Sequence, residues 1–399
     1  MTLRLGRRFN IGATALISAT LVTALVATPA HAAVTISGSG STAVKNLLDV
    51  CIPDYQKSTG NTVNYAGGGS GAGRTAFTAG TVDFAFSDAA FGSTEAKPAD
   101  FVYAPIVAFP LAVMVKLDGY NDTLNLSAKS LSGIYAGKIT KWNDPAIVAD
   151  NNKTVKVPVY AKRAKIDPKT KKPMKDKKGK VVMETYTSGT KDVVEEAKLP
   201  STAITVWYRS DKSGSTGILT NWLTKLDPTT WTKAGSAGQQ TFTSAFPGDS
   251  VPAGTFQGGS GSDGIANGVA SKDGSIGYAE TSYASERKLL VAKLQNGAGE
   301  YVAPSPEGTA VFLNNFIPGA KGTVVVDVLT KASGAYTLSS FSYGLAYGGG
   351  KDATKQAAVK DFFTYVLTTC ATAHAVEKGY IPVTGSLAAI ANANIAAIG

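Results

Sequence analysis

Three times in this chain an apolar, β-prone run ends in a turn of Gly, Ser and Thr that opens directly into an amphipathic helix. Residues 34–37 lead into Gly38-Ser39-Gly40-Ser41-Thr42 and a helix reaching about residue 57. Residues 62–66 lead into Gly67-Gly68-Gly69-Ser70-Gly71 and a short helix through Phe77. Residues 205–208 run into Arg209-Ser210-Asp211-Lys212-Ser213-Gly214-Ser215-Thr216, after which Ile218, Leu219, Trp222 and Leu223 recur at helical spacing. A further strand over residues 82–86, ending in Ser87-Asp88, completes a β-turn-α-β-turn-α-β order at the start of the fold. That order calls for a doubly wound α/β domain with a mostly parallel sheet, whose ligands sit beyond the carboxyl ends of the strands.

A second α/β stretch follows, with a strand over 107–117, a helix over 130–138, a helix opened by Gly261-Ser262-Asp263-Gly264 and a strand over 275–279. A strand over 323–328 and a long helix over 353–378 come last, and no solenoid period is visible. At 399 residues one core is too large, so two domains are expected.

The turns carry the chemistry. A helix N-terminus offers unpaired N–H groups and the positive end of its dipole, and Gly lets the backbone curl its N–H groups toward an anion. Ser and Thr are also ordinary N-caps, which is the plainer account of any single turn. Three of them at strand ends, joined by Arg209, point to a small oxyanion. Gly38-x-Gly40-x-x-Ala43 resembles a dinucleotide fingerprint, but the second strand ends in Ala66-Gly67-Gly68 where that fingerprint needs an acid, and no P-loop Lys is present.

Arg4, Arg7 and Arg8, an apolar stretch over 11–26, and Ala30-His31-Ala32 ahead of Ala33 describe a cleavable secretory signal over 1–32. The apolar run is short for a membrane anchor, and ordinary secretion is favoured over twin-arginine export, which Arg7-Arg8-Phe9 matches only in part. No Cys near the cleavage point is available for lipid attachment, and no transmembrane helix is expected in the mature chain. Cys51 and Cys370 are therefore expected to pair in an oxidising compartment, with two buried free thiols as the alternative. After cleavage His374 is the one remaining His, which disfavours a Ser-His-Asp hydrolase or a His-based metal site; no cofactor or metal is expected.

Several segments in collinear order resemble the phosphate-binding proteins of phosphate ABC transporters. They are Gly38-Ser39-Gly40-Ser41-Thr42, residues 55–60 (YQKSTG) with 63–65 (VNY), Gly69-Ser70, residues 82–84 (VDF) with Ser87-Asp88-Ala89, residues 134–139 (IYAGKI) with Trp142-Asn143-Asp144, Arg209 to Gly214, residues 274–278 (GSIGY) and residues 379–382 (GYIP). The resemblance covers most of 34–385, with one insertion. It implies a two-lobed periplasmic-binding-protein fold of type II, each lobe a doubly wound, mostly parallel sheet flanked by helices. Lobe I would comprise 33–107 and 281–399 and lobe II 108–280, closing about a hinge over one phosphate ion.

By motif, the resemblance places Thr42, Ser70, Asp88, Arg209, Ser213, Gly214 and Ser215 on ligand-contacting positions, with Asp211 orienting Arg209 and Ser41 and Gly71 adjacent. Ala43 stands where the family carries an aromatic residue, and Gly71 where Ser is common. The residue chemistry agrees: a dehydrated oxyanion needs N–H groups, hydroxyls and an Arg fork. A carboxylate such as Asp88 is repulsive to an anion unless that anion has a proton to donate, as phosphate has near neutral pH and sulfate has not. Asp88 is thus expected to tell the two apart, although it could instead be a turn residue paired with Arg209. The family implies inorganic phosphate and permease subunits as partners, a monomer, no nucleic acid and no enzymatic activity. Two other readings are a secreted surface-interaction protein on the same fold and a phosphatase-like hydrolase using Ser70 or Ser213; for the latter no base or Gly-x-Ser-x-Gly elbow is in evidence.

The insertion over 153–187 reads as a hairpin, with β-prone flanks at 155–160 and 181–186 and a long polar tip. It is either a solvated loop or an arm for anionic cell-wall polymer or lipid. Residues 153–180 hold 12 basic and 2 acidic residues; outside them and the signal, 24 basic and 27 acidic residues remain. The net charge of +10 therefore belongs to the arm and the signal, and anion selectivity must come from local donors.

Overall fold

The computed structural model describes residues 33–235 and 237–399, together with Thr2. The expected signal over 1–32 otherwise lies outside the described residues.

Strands β1 (Thr35–Gly40), β2 (Thr62–Ala66) and β3 (Phe84–Ser87) run parallel in the order β2-β1-β3, linked by helices α1 (Lys45–Thr59) and α2 (Ser70–Ala79). The next strand, β4 (Phe101–Val115), is buried at all 15 positions. It begins earlier than the expected 107–117 because its uncharged tract starts at Phe101. Continuous apolar character rather than alternation is what a strand covered on both faces requires.

Beyond β4 the chain forms a hairpin, β5 (Lys153–Ala164) with β6 (Met183–Glu195), then β7 (Thr205–Arg209), helix α3 (Gly214–Leu226), β8 (Phe256–Gly259), helix α4 (Gly261–Ser271) and β9 (Ser275–Glu280). Strands β9, β7 and β8 form a second parallel run. Strand β10 (Ser339–Tyr347) and helix α5 (Ala353–Tyr365) follow near the C-terminus.

Strand β4 joins the two runs by changing partner. Residues Phe101 to Pro110 pair antiparallel with β10, which in turn pairs with β3; residues Leu111 to Val115 pair antiparallel with β9. Pro110, which has no N–H to give, stands at the changeover, and Pro105 stands beside the register shift at Ser342/Tyr343, the places a strand tolerates Pro. One continuous sheet results, in the order β2-β1-β3-β10-β4-β9-β7-β8. The segments Leu290–Val291 and Lys293–Gln295 pair with Val115/Met114 and with Asn125–Leu126, on the side of the second run.

The long C-terminal helix expected over 353–378 is divided. It is α-helical to Tyr365, widens into a π turn over Val366–Cys370, and continues as Ala371–His374 and a 3-10 turn over Val376–Lys378. Cys370 at the end of the π turn is bonded to Cys51 of α1, with their Cα atoms 5.6 Å apart. Closing a loop of 319 residues restricts the unfolded chain, for which the entropic model allows at most about 6 kcal/mol. Protein unfolded without reductant should release no thiol to a colorimetric reagent, and reduction should lower its denaturation midpoint. Two free thiols in the unreduced sample would contradict the bridge.

Candidate functional site

The carboxyl ends of β1, β3 and β7 and the first turns of α2, α3 and α4 converge on one buried cluster of polar side chains. Asp88, just past β3, is 4% exposed. Its Oδ1 accepts from Ser41 Oγ at 2.6 Å and from Ser342 Oγ at 2.9 Å; its Oδ2 accepts from Ser41 Oγ at 2.7 Å and Ser70 Oγ at 3.1 Å. Burial pushes the carboxyl of Asp88 up, against the pull of these hydroxyls and of the Arg209 charge.

Arg209 ends β7 and is equally sequestered. Its Nε and Nη2 donate to Asp211 Oδ1 and Oδ2 at 2.7 and 2.5 Å, and the Gly261 N–H donates to the same Oδ1 at 3.0 Å. Burial opposes both charges, yet the pair holds the guanidinium above and the Asp211 carboxyl below their ordinary values. Asp211 thus occupies one edge of the fork, and Nη1 makes no hydrogen bond among the described residues. Asp88 does not pair with Arg209; its direct partners are the three serines.

Helix α3 presents its N-terminus between these groups. Ser213 is the N-cap, its Oγ accepting from the Thr216 N–H at 3.2 Å, a bond that does not use the proton of the hydroxyl. Gly214 and Ser215 lie in the first turn, where N–H groups have no intrahelical acceptor. A Cβ at Gly214 would stand 2.7 Å from both Asp88 Cβ and Ser70 Oγ, so only Gly lets this helix approach β3 and α2. Gly69 has φ of +91°, and a Cβ there would meet Asp211 Oδ2 at 2.3 Å.

Thr42 joins the cluster from another side. Its Oγ1 lies 3.0 Å from Ser262 Oγ and accepts from the Ser262 N–H at 3.1 Å. Ser262 Oγ donates to Glu280 Oε2 at 2.9 Å, and Ser215 Oγ donates to Glu280 Oε1 at 3.2 Å. Thr42, Ser70, Asp88, Arg209, Ser213, Gly214 and Ser215 are thereby brought together. The N–H of Gly71, which follows Ser70 in the first turn of α2, donates to the Lys212 carbonyl at 3.0 Å.

Glu280, Ser262 and Ser342 belong to the cluster and escaped the sequence reading. Glu280 had a signal, since it is the acid that ends a buried apolar strand, as Ser87-Asp88 ends β3. Ser342 had none; 254 residues separate it from Asp88, and only sheet pairing unites them. Burial first, then the Asp88 charge, raises Glu280 to about 7. The arrangement offers hydroxyls, helix N–H groups and one Arg to the oxygens of an anion, and one carboxylate to a proton. Among the described residues no cluster of His, Cys, Asp and Glu suits a metal ion.

A family model described as the PBP superfamily domain matches residues 26–369. The phosphate-binding protein PstS of Xylella fastidiosa (strain Temecula1) is 30% identical over 356 residues, covering 89% of this chain and 83% of that one. The protein of the same name from Pasteurella multocida is 31% identical, with 87% and 86% covered. The crystal structure of a phosphate-binding protein from Stenotrophomonas maltophilia superposes with a TM-score of 0.60 at 20% identity, covering 91% of this chain and 94% of that one.

A carboxyl whose folded value is raised binds its proton more tightly in the native state, so it stabilises the fold below its ordinary value and loses that contribution as pH rises through the raised one. Glu280 should therefore make the ligand-free protein lose stability, by about 2–3 kcal/mol, from the ordinary carboxylate range up to about pH 7. In Glu280→Gln, urea denaturation across that range should show a flatter profile. An unchanged slope would mean that Glu280 is ionised throughout.

Proposed function

Since the chain belongs to the PBP superfamily and, within it, to the phosphate-binding PstS proteins, we propose that it captures inorganic phosphate and delivers it to an ABC-type importer. The observation that carries this reading is the meeting of Arg209, the α3 N-terminus and the hydroxyls of Ser70 and Thr42 around Asp88. Arg209 Nη1, the N–H groups of Gly214 and Ser215, and the hydroxyls of Thr42, Ser70, Ser213 and Ser215 hold the phosphate oxygens, Ser70 turning its proton from Asp88 and Ser215 from Glu280 to the ion. Ser41 orients Asp88, and Asp211 orients Arg209.

Ionised Asp88 accepts the proton of bound hydrogen phosphate. The hydroxyls of Ser41 and Ser342 and, more weakly, the Arg209 charge favour the ionised carboxylate against the burial that raises it. Sulfate, lacking a proton, would place two unshielded negative groups in contact in a medium of low dielectric.

The donors come from both parallel runs, so binding closes one against the other. The first lobe is built on 33–107 with the C-terminal part of 281–399, the second on 108–280, and the hinge lies where β4 passes from β10 to β9. The protein acts as a monomer and is exported. No helix among the described residues is long and apolar enough to cross a membrane. Permease subunits receive the ion, the protein itself catalysing no reaction, and the basic arm offers a contact for anionic wall polymer or lipid.

Calorimetric titration at neutral pH should show phosphate binding at least about 100-fold tighter than sulfate, and Asp88→Asn should narrow that ratio by about tenfold or more. Equal affinities in the unaltered protein would refute proton recognition. Absence of phosphate binding by folded protein would refute the function and favour a surface-interaction role.

A further inference from the structure

The insertion is a free-standing two-stranded arm. Strands β5 and β6 pair with each other from Lys153↔Glu195 to Ala164↔Met183 and, among the described residues, with no third strand. At about 3.3 Å per residue, the 12-residue β5 reaches about 40 Å. Such a hairpin is at best marginally stable alone in water. The base is tied to the body by Lys153 with Asp122 and by the Ala197 N–H donating to Asn152 Oδ1.

The tip is folded rather than a loose loop. Lys165 and Val182 pair through the Lys165 N–H, Met174 links to both, and two turns close around Asp167 and Asp176. Asp167 Oδ1 accepts from the N–H groups of Lys169 and Thr170, and Asp176 Oδ1 from those of Lys178 and Lys180. The two acids of the tip are thus engaged by backbone, while eight lysines over 165–182 are presented to solvent. Over the whole arm, 153–195, there are 13 basic and 5 acidic residues.

Apolar side chains stand exposed among these lysines: Ile166 at 46%, Met174 at 36%, Val181 at 37% and Met183 at 52%. A soluble polyanion would be served by the lysines alone. Lysines interleaved with exposed Ile, Met and Val match an anionic bilayer, whose headgroups take the charge and whose acyl boundary takes the apolar tips.

We propose that the tip of this arm docks on an anionic lipid bilayer, Lys171, Lys172, Lys177 and Lys178 meeting lipid phosphates while Ile166, Met174 and Val181 enter the interface. The proposal deepens the delivery reading by naming what the arm contacts, and rests on it only for the presence of a membrane. The arm contributes no residue to the phosphate cluster, so phosphate binding and bilayer binding fail independently.

The test is cosedimentation of the purified protein with vesicles of phosphatidylglycerol mixed with phosphatidylcholine, or of phosphatidylcholine alone. Phosphate titrations of the same samples report folding and the site. Binding to the anionic vesicles should be at least about tenfold tighter, and should fall about tenfold or more between about 0.05 and about 0.5 M salt. Replacing the four lysines by Gln should abolish most of the binding. The triple change Ile166→Ser, Met174→Ser, Val181→Ser, which leaves the charge untouched, should weaken it by about fivefold or more, phosphate binding being preserved in both variants. Vesicle binding indifferent to lipid charge would overturn the proposal. So would a triple variant that binds the anionic vesicles as well as the parent, which would assign the arm to a soluble wall polymer. Vesicle binding without phosphate binding would leave this proposal standing and remove the one it extends.

Discussion

Burying a carboxylate beside the place where an anion is to sit is the constraint to which the rest of this site answers. Asp88 is nearly removed from solvent, and burial alone favours its neutral form. Three serine hydroxyls, from the end of β1, the first turn of α2 and the interior of β10, work against that cost, and Arg209 supplies an opposing charge. The half-buried Arg209–Asp211 pair is a weak source of stability, because Arg209 loses its hydration and Asp211 part of its own. It makes sense as preorganisation: Asp211 turns one edge of the fork away and leaves the other available.

The continuous sheet explains how groups so distant in sequence can meet. Strand β4 pairs with β10 up to Pro110 and with β9 from Leu111 onward. Both neighbours deliver a site residue, Ser342 from β10 and Glu280 from β9. Glycine at 214 and at 69 lets backbone come where a side chain would collide with Asp88 or Asp211.

Much of this was legible from local pattern. The strand-turn-helix units marked β1, β2 and β7 and placed Thr42, Ser70 and Arg209 at strand ends, because period and turn chemistry are written locally. The pairing of Cys51 with Cys370 followed from export chemistry and cysteine count, and the structure contains it. Ser342 and the Thr42–Ser262–Glu280 relay were not legible, since they arise from sheet order and from contacts across hundreds of residues. The arm was legible as a hairpin, but not the two Asp-centred turns that order its tip.

The central claim is that one anion binds between Arg209 and Asp88, with the proton it carries facing Asp88. A crystal structure of the protein grown with phosphate tests this most directly. It should show one tetrahedral ion contacting Arg209 Nη1 and the first-turn N–H groups of α3, with one of its oxygens at short hydrogen-bonding distance from an Asp88 carboxylate oxygen. A phosphate bound elsewhere, or one that leaves Asp88 enclosed by its serines without contact, would contradict it.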